Sequence, residues 1–298
     1  MGNWIMNGKV IAIGNRKGGV GKTTLTVALA HTIHAQIKKT VLVIDTDPQA
    51  SASRALAGDK IYLKIEHLYL ERLLFEHHSP LRNNRAERKR WARDAISPLT
   101  DDNAATCSLV PISPEFWRRE RRLQRLSAPS IVGAATVRKR FARLLDWARR
   151  DFDITIIDTA PGVSLLYDQV LKNCDLMVIP CIPDRISIDG LSLLKREFDD
   201  DKIDTKKVRV AWTMMVSQAD WRRTLAEQKD GNPAKFPFPG FEAPEYEGQP
   251  PEPLGLPRLV GIPTAITSDE PQTWATRYKA AGAVQIQRIT EEVLKALP

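Results

Sequence analysis

The run Arg16-Lys17-Gly18-Gly19-Val20-Gly21-Lys22-Thr23-Thr24 follows directly on the apolar stretch Val10 to Ile13. Its glycines let the backbone aim N–H groups, from Gly18 through Val20 to Thr24, at phosphate oxygens. Lys22 is placed to reach the β- and γ-phosphates, and the Thr23 hydroxyl to sit on Mg²⁺. A phosphate-binding loop usually opens with a glycine five positions before its Gly-Lys pair, but here Arg16 stands at that position with Lys17 beside it. The extra lysine marks a deviant form of the motif, and it narrows the function further than the loop itself.

Two more segments end in carboxylates. Thr40 to Ile44 is a β-branched run leading into Asp45-Thr46-Asp47-Pro48-Gln49, and Asp153 to Ile157 leads into Asp158-Thr159-Ala160-Pro161-Gly162. Ligands of open parallel sheets bind outside the carboxyl ends of the strands, so aspartates there face phosphates held by the loop. Phosphoryl transfer needs Mg²⁺ held by the loop hydroxyl and an aspartate, plus a group that orients the attacking water. Asp158 stands at the Walker B position. Asp45 and Asp47 are two apart on an extended segment and can share one face, with Asp47 nearer the γ-phosphate and Asp45 deeper.

A strand must deliver the loop and a helix must leave it. Lys9 to Asn15 reads as a buried strand, and Thr24 to Ile37 places Leu25, Ala28, Leu29 and Ile33 at helical spacing, so a helix N-terminus points at the phosphates. Strand and helix patterns alternate to the end of the chain. The expected fold is α/β, a doubly wound, mostly parallel sheet with helices on both faces, forming one P-loop unit over residues 1–298. Two segments interrupt it. An Arg-rich insertion at about 58–103 is expected to add helices beside the Asp45–Asp47 loop. A Pro-rich stretch at about 230–257 is expected to be loop, neither strand nor helix, because proline removes donors and fixes φ.

These motifs and their order resemble the ParA-type family of deviant-Walker ATPases, within the ParA/Soj/MinD superfamily. Lys17 to Thr24 resembles the signature loop, Val41 to Gln49 the strand with its Asp-x-Asp-Pro-Gln turn, and Asp153 to Gly162 Walker B with switch II. Ser108 to Pro111, Cys174 to Pro180 followed by Gly190-Leu191, Ala211 to Met214, and Val260 to Pro263 resemble the remaining strands. The resemblance implies ATP and Mg²⁺ as ligands and a nucleotide sandwich homodimer. Lys17 would be the signature lysine that crosses to the partner subunit's phosphates, Asp47 the hydrolysis-critical aspartate, and Asp45 a metal-associated one. Lys17, Lys22 and Asp47 form the implied catalytic set and Thr23, Asp45 and Asp158 the metal set, with Met214 and Pro263 among the nucleotide contacts. Thr264 departs from the pattern, since relatives often carry an arginine there.

Composition fits an enzyme that meets polyanions. The 298 residues carry a formal charge of +8, with pI ≈ 9.4. Cys107, Cys174 and Cys181 have no metal-ligand spacing and read as free thiols of a reducing cytosol. No stretch reads as a signal peptide or membrane span. Basic residues cluster in Arg82 to Arg93, in Arg118, Arg119, Arg121, Arg122 and Arg125, and in Arg138 to Arg150, where Phe141, Leu144, Leu145 and Trp147 interleave as an amphipathic helix. Such surfaces bind DNA through phosphates without reading sequence. Family members commonly bind through the C-terminal half, which adds Lys195, Arg196, Lys206, Lys207, Arg222 and Arg223. Sequence alone does not choose among these sets. The first strand starts near residue 9, so no helix-turn-helix is expected ahead of it.

Rival activities of the superfamily lack their residues. A nitrogenase-reductase-like carrier needs a cysteine just after Walker B, and Asp158 to Ser164 has none; no Cys-x-x-Cys pair for an iron–sulfur carrier follows Cys181. Ile289 to Pro298 holds Glu291 and Glu292 against Lys295, unlike a basic membrane-binding helix. The expected function is a cytoplasmic, nucleoid-associated partition ATPase that binds DNA non-specifically as an ATP dimer. A ParB-like DNA-binding partner would stimulate its hydrolysis to segregate a replicon or position a cargo. The alternative is a nucleotide-gated adaptor, MinD-like or cellulose-synthesis-associated, that uses ATP to switch partners.

Overall fold

β1 (Lys9–Ile13) is an unbroken apolar strand with Val10, Ile11, Ala12 and Ile13 fully buried, as a central strand covered on both faces must be. In the computed structural model the described residues are 8–75, 107–125, 132–162, 164–215, 236–241, 254–257 and 274–298. Among them β1 is joined by β2 (Val41–Asp45), β3 (Cys107–Val110), β4 (Ile154–Asp158), β5 (Leu176–Cys181), β6 (Val208–Met215) and β7 (Gly255–Pro257). All pair in parallel, in the order β3-β2-β4-β1-β5-β6-β7. The fold is the α/β parallel sheet expected from the alternating pattern.

The register places the chemistry. Ile13 pairs with Asp158 across β1 and β4, and Asp45 pairs with Asp158 across β2 and β4. The phosphate-binding loop and both strand-ending aspartates therefore emerge at one edge of the sheet. Each of β2 and β4 runs one residue beyond the apolar stretch, so the aspartates belong to the strands and are held by ladder bonds.

α1 (Lys22–Ala35) starts two residues earlier than its apolar spacing indicated, because Gly21 at φ 88° turns the loop straight into the first helical turn. It is covered by α2 (Ser51–Ala57) and α9 (Trp274–Lys295) as well as by the sheet, which buries it on more than the one face that the sequence showed. α3 (Asp59–Tyr62), a 3₁₀ turn at Glu66–Leu68 and α4 (Leu70–Phe75) form the described part of the Arg-rich insertion, and they are helical as expected. α5 (Phe116–Arg125) follows β3, and α6 (Val132–Asp151) packs against β1, β4, α4 and α7 (Tyr167–Asn173). α6 buries Phe141, Leu144, Leu145 and Trp147 and turns Arg138, Lys139 and Arg143 to solvent. α8 (Arg185–Asp200) leads into β6.

The reading of 230–257 as loop throughout is corrected at two points. Gly255–Pro257 is a strand on β6, and Gly240 bridges Val210. Among the described residues β7 is the last strand in the sheet order and Pro257 is its final residue, a position that tolerates proline. Val260 to Thr264, Arg82 to Arg93, Arg222 and Arg223 lie outside the described residues.

Candidate nucleotide-binding site

The loop is pinned from two neighbouring strands, β5 and β6. Asn15 Nδ2 donates to the Pro180 carbonyl on β5 at 2.8 Å and its Oδ1 accepts from the Lys17 N–H at 2.9 Å. Thr213 Oγ1 on β6 donates to the Val20 carbonyl at 2.8 Å, and Gly14 N–H to the Val178 carbonyl at 3.1 Å. Between these anchors Gly18 and Gly19 border open space: a Cβ at either would meet no atom within 4 Å. The turn is an open cradle at the N-terminus of α1, the geometry that accepts an anion.

Lys22 is buried, and its Nζ donates to the Lys17 carbonyl at 3.3 Å. Burial lowers its pKa from the usual lysine value, while Asp158 and Asp47 act in the opposite direction. Thr23 Oγ1 donates to Asp158 Oδ2 at 2.8 Å, and Thr26 Oγ1 to Asp158 Oδ1 at 3.0 Å. Asp45 is fully buried; its Oδ1 accepts from the Asp47 N–H at 3.0 Å and its Oδ2 from the Ser53 N–H and Oγ at 2.8 and 2.7 Å. Asp47 Oδ1 accepts from the Gln49 N–H at 3.0 Å. Burial raises the pKa of Asp45, with Asp158 adding to the effect, and burial likewise raises that of Asp158.

Asp47 and Asp158 thus share Lys22 as a buried cation, and Asp45 lies beside Asp158. Two buried carboxylates that resist ionisation are what a hard divalent cation would relieve. Thr23, Asp45 and Asp158 supply oxygen ligands suited to Mg²⁺, which keeps several waters and phosphate oxygens of its own.

Lys17 is placed differently from Lys22. Its Nζ donates to Ser187 Oγ in the first turn of α8 at 2.8 Å and lies 3.4 Å from Oδ2 of Asp184, the N-cap of that helix in the same chain. Arg16 pairs with Glu197 farther along the same helix. Met214 sits on β6 at φ 56°, beside a register shift, with 38% of its surface exposed. Such a left-handed non-glycine residue is strained, and it directly follows the residue that holds Val20. Pro263 lies outside the described residues.

Beyond Asp47 a cleft of ≈ 740 Å³ opens between the Asp45–Gln49 turn, the segment after β4 and α5. Asp47, Pro48 and Gln49 line one side, Ala160, Pro161 and Ser164 another, and Pro114, Trp117 and Glu120 the third.

Sequence reasoning missed several of these partners. Thr26 was legible, being one helical turn after Thr23. Asp184-Arg185-Ile186-Ser187 shows only a helix cap, and nothing local tied it to Lys17. Ser53, Asn15, Thr213 and Glu120 gave no signal, because their roles depend on strands and turns brought together by the sheet.

A family model with the description AAA domain, AAA_31, matches residues 8–208. The sporulation initiation inhibitor protein Soj of Bacillus subtilis (strain 168) is 30% identical over 187 residues, 63% of this chain and 63% of that protein. The chromosome partitioning protein ParA of Myxococcus xanthus (strain DK1622) is 28% identical over 235 residues, 76% of this chain and 72% of that one. Several of these matches span only 60–63% of the relatives' length. Among solved structures, pNOB8 ParA bound to nonspecific DNA has a TM-score of 0.58 at 19% identity, covering 97% of this chain and 98% of that one. Cobyrinic acid a,c-diamide synthase from Mycobacterium smegmatis, with bound ATP analog and magnesium, has a TM-score of 0.59 at 20% identity, covering 97% and 95%. At these identities the likeness shows the fold, and function has to be argued from the site.

Proposed function

Because the chain belongs to the AAA_31 family of AAA domains, we propose that it is a dimerising, ATP-dependent partition ATPase. It binds DNA without sequence preference, and a ParB-like partner stimulates its hydrolysis to segregate a replicon or position a cargo. The observation that carries this reading is the second lysine, Lys17, in a loop that also gathers Lys22, Asp45, Asp47 and Asp158 at one sheet edge. In the ParA-type family that the loop resembles, a lysine at that place reaches the nucleotide of the second subunit.

The loop N–H groups from Gly18 to Thr24 cradle the phosphates, and Lys22 exchanges the Lys17 carbonyl for β/γ oxygens, so its ammonium keeps an acceptor throughout. Thr23, Asp45 and Asp158 would hold Mg²⁺, which when bound neutralises phosphate charge. Thr26 and Ser53 keep Asp158 and Asp45 oriented by direct hydrogen bonds. Asp47, fixed by its own turn and bordering the cleft, orients the attacking water. Lys17 leaves Ser187 and Asp184 to reach the partner's phosphates, supplying charge as an arginine finger does. Dimerisation aligns two basic surfaces on one duplex, which makes DNA binding depend on ATP.

The site of action under this reading is the nucleoid in the cytoplasm; no helix among the described residues is long and apolar enough to cross a membrane. The test is phosphate release and duplex binding with ATP and with ADP, on two unrelated DNA sequences across a salt series. ATP-dependent, sequence-indifferent binding with a steep salt dependence is expected. Equal affinity in the two nucleotide states, or strong preference for one sequence, overturns the reading and favours an adaptor that uses ATP only to change protein partners.

A further inference from the structure

The basic clusters that looked equivalent in the sequence differ in how many of their charges are already engaged. Arg149 spends its guanidinium on Asp175 and on the Gly8 and Asn173 carbonyls, and Arg140 donates to the Leu74 carbonyl. Lys207 caps α7 through the Leu171 and Cys174 carbonyls, and Lys195 is paired with Asp199. Arg138, Lys139 and Arg143 of α6 stay exposed, and α5 differs from them in setting its arginines beside an exposed aromatic ring. Phe116 is its buried anchor, edge-on to Phe75 at 5.6 Å, while Trp117 is 41% exposed. The Arg118 and Arg121 guanidinium carbons lie 5.6 and 5.5 Å from the Trp117 ring centroid. Arg119 lies 5.9 Å from that of Phe75. The helix carries five arginines against one glutamate.

A guanidinium stacked on an indole keeps its in-plane N–H edge free while its rotamer is restricted, so it can meet a phosphate at lower entropic cost than a solvated arginine. The exposed pair between Arg118 and Glu115 at 2.8 Å is weak enough for a phosphate to displace. The one acid in α5, Glu120, is already engaged: its Oε1 accepts from the Leu165 N–H in the segment after β4, and together with Trp117 it lines the same cleft as Asp47. Burial raises its pKa.

We propose that the Trp117–Arg118–Arg121 face of α5 is the phosphate-contacting surface for DNA, and that Glu120 is a positioning residue coupling it to the segment that follows Asp158 and lines the cleft beside Asp47. This rests on the DNA-binding reading above and assigns its surface. The contact is with the sugar–phosphate backbone, so it is indifferent to sequence. Whatever moves Leu165 when nucleotide changes also moves the helix that carries the arginines.

The full chain with ATP and Mg²⁺ should be compared with Arg118→Ala/Arg121→Ala, Trp117→Ala, Glu120→Ala and Glu120→Gln, by anisotropy on a labelled duplex over a salt series. ATP affinity serves as the folding control. The arginine variant should lose at least tenfold in DNA affinity, and its slope of log K on log salt should fall by about 0.9 for each contact removed. Trp117→Ala should weaken binding with less change in slope. Glu120→Ala should shrink the ratio of ATP-state to ADP-state DNA affinity, and Glu120→Gln, whose carbonyl still accepts from Leu165 N–H, should restore it. Wild-type affinity and slope in the arginine variant would overturn the surface assignment while leaving the partition reading intact. Absence of DNA binding by the unmodified protein in either state would instead defeat that reading. Lost partner stimulation with DNA binding unchanged would give the face to a protein and also overturn the proposal.

Discussion

Substituting both acceptors of Lys17, as Asp184→Asn with Ser187→Ala, isolates what its hold on α8 is worth. The Lys17 ammonium lies 2.8 Å from Ser187 Oγ and 3.4 Å from Asp184 Oδ2. The helix cap survives, because it uses the main-chain N–H of residue 187 and a side-chain oxygen that asparagine retains. A hydrogen bond to a charged group contributes about 1.5–3 kcal/mol when well shielded. The Lys17 and Asp184 side chains are 40% and 42% exposed, so water competes and about 1 kcal/mol is the appropriate scale. If ATP closes a dimer by drawing Lys17 across, each protomer gives up one tether, and two tethers amount to about 2 kcal/mol, or about 30-fold in the dimer dissociation constant. Sedimentation equilibrium with Mg²⁺ and a non-hydrolysable ATP analogue should therefore show the double variant dimerising about 30-fold more tightly. Dimerisation that is equal or weaker, at unchanged thermal stability, would refute the idea that Lys17 must leave α8 to act.

Three further outcomes test the site. Lys22→Ala should abolish ATP binding in equilibrium dialysis, because it removes the buried point charge on the β/γ-phosphates; unchanged affinity would sink the assignment of the loop. Asp47→Ala should retain ATP and accumulate as a dimer while phosphate release falls by about 10²–10³-fold, on the scale of lost general-base or water-orienting groups; turnover at the normal rate counts against Asp47. Glu71 is buried and hydrogen-bonded to Ser113, and burial raises its pKa above 4.5. The folded state thus holds that proton more tightly than the unfolded state, and its contribution to stability falls as pH rises from 4.5 through the raised value. Glu71→Gln should be more stable than the parent at pH 7.5 and indistinguishable below pH 4.5, by urea melts at both pH values; a constant difference would contradict it.

The sequence by itself determined the candidate residues of the site. Loop glycines, two lysines, a hydroxyl and strand-ending aspartates are read from spacing, because the strand-to-helix turn imposes φ values and distances that only a few residue types satisfy. The amphipathic pattern of α6 was equally legible, since periodicity is a local property. The tertiary structure decided what is non-local. Sheet order and register set Asp45 opposite Asp158, 113 positions later in the chain. Packing of α8 against the loop gave Lys17 its partners on Ser187 and Asp184, 170 and 167 residues away. Burial, which no residue type announces, raised the proton affinity of the paired aspartates. The strand Gly255–Pro257 inside a proline-rich stretch was missed for the same reason: the first or last residue of a strand can be a proline, and only the assembled sheet shows that this short run pairs with β6. Likewise the basic clusters could not be ranked until the fold showed which cations were bound to carbonyls and carboxylates and which were stacked on an exposed tryptophan, because charge is written in the sequence while its neutralisation depends on neighbours brought in from elsewhere in the chain.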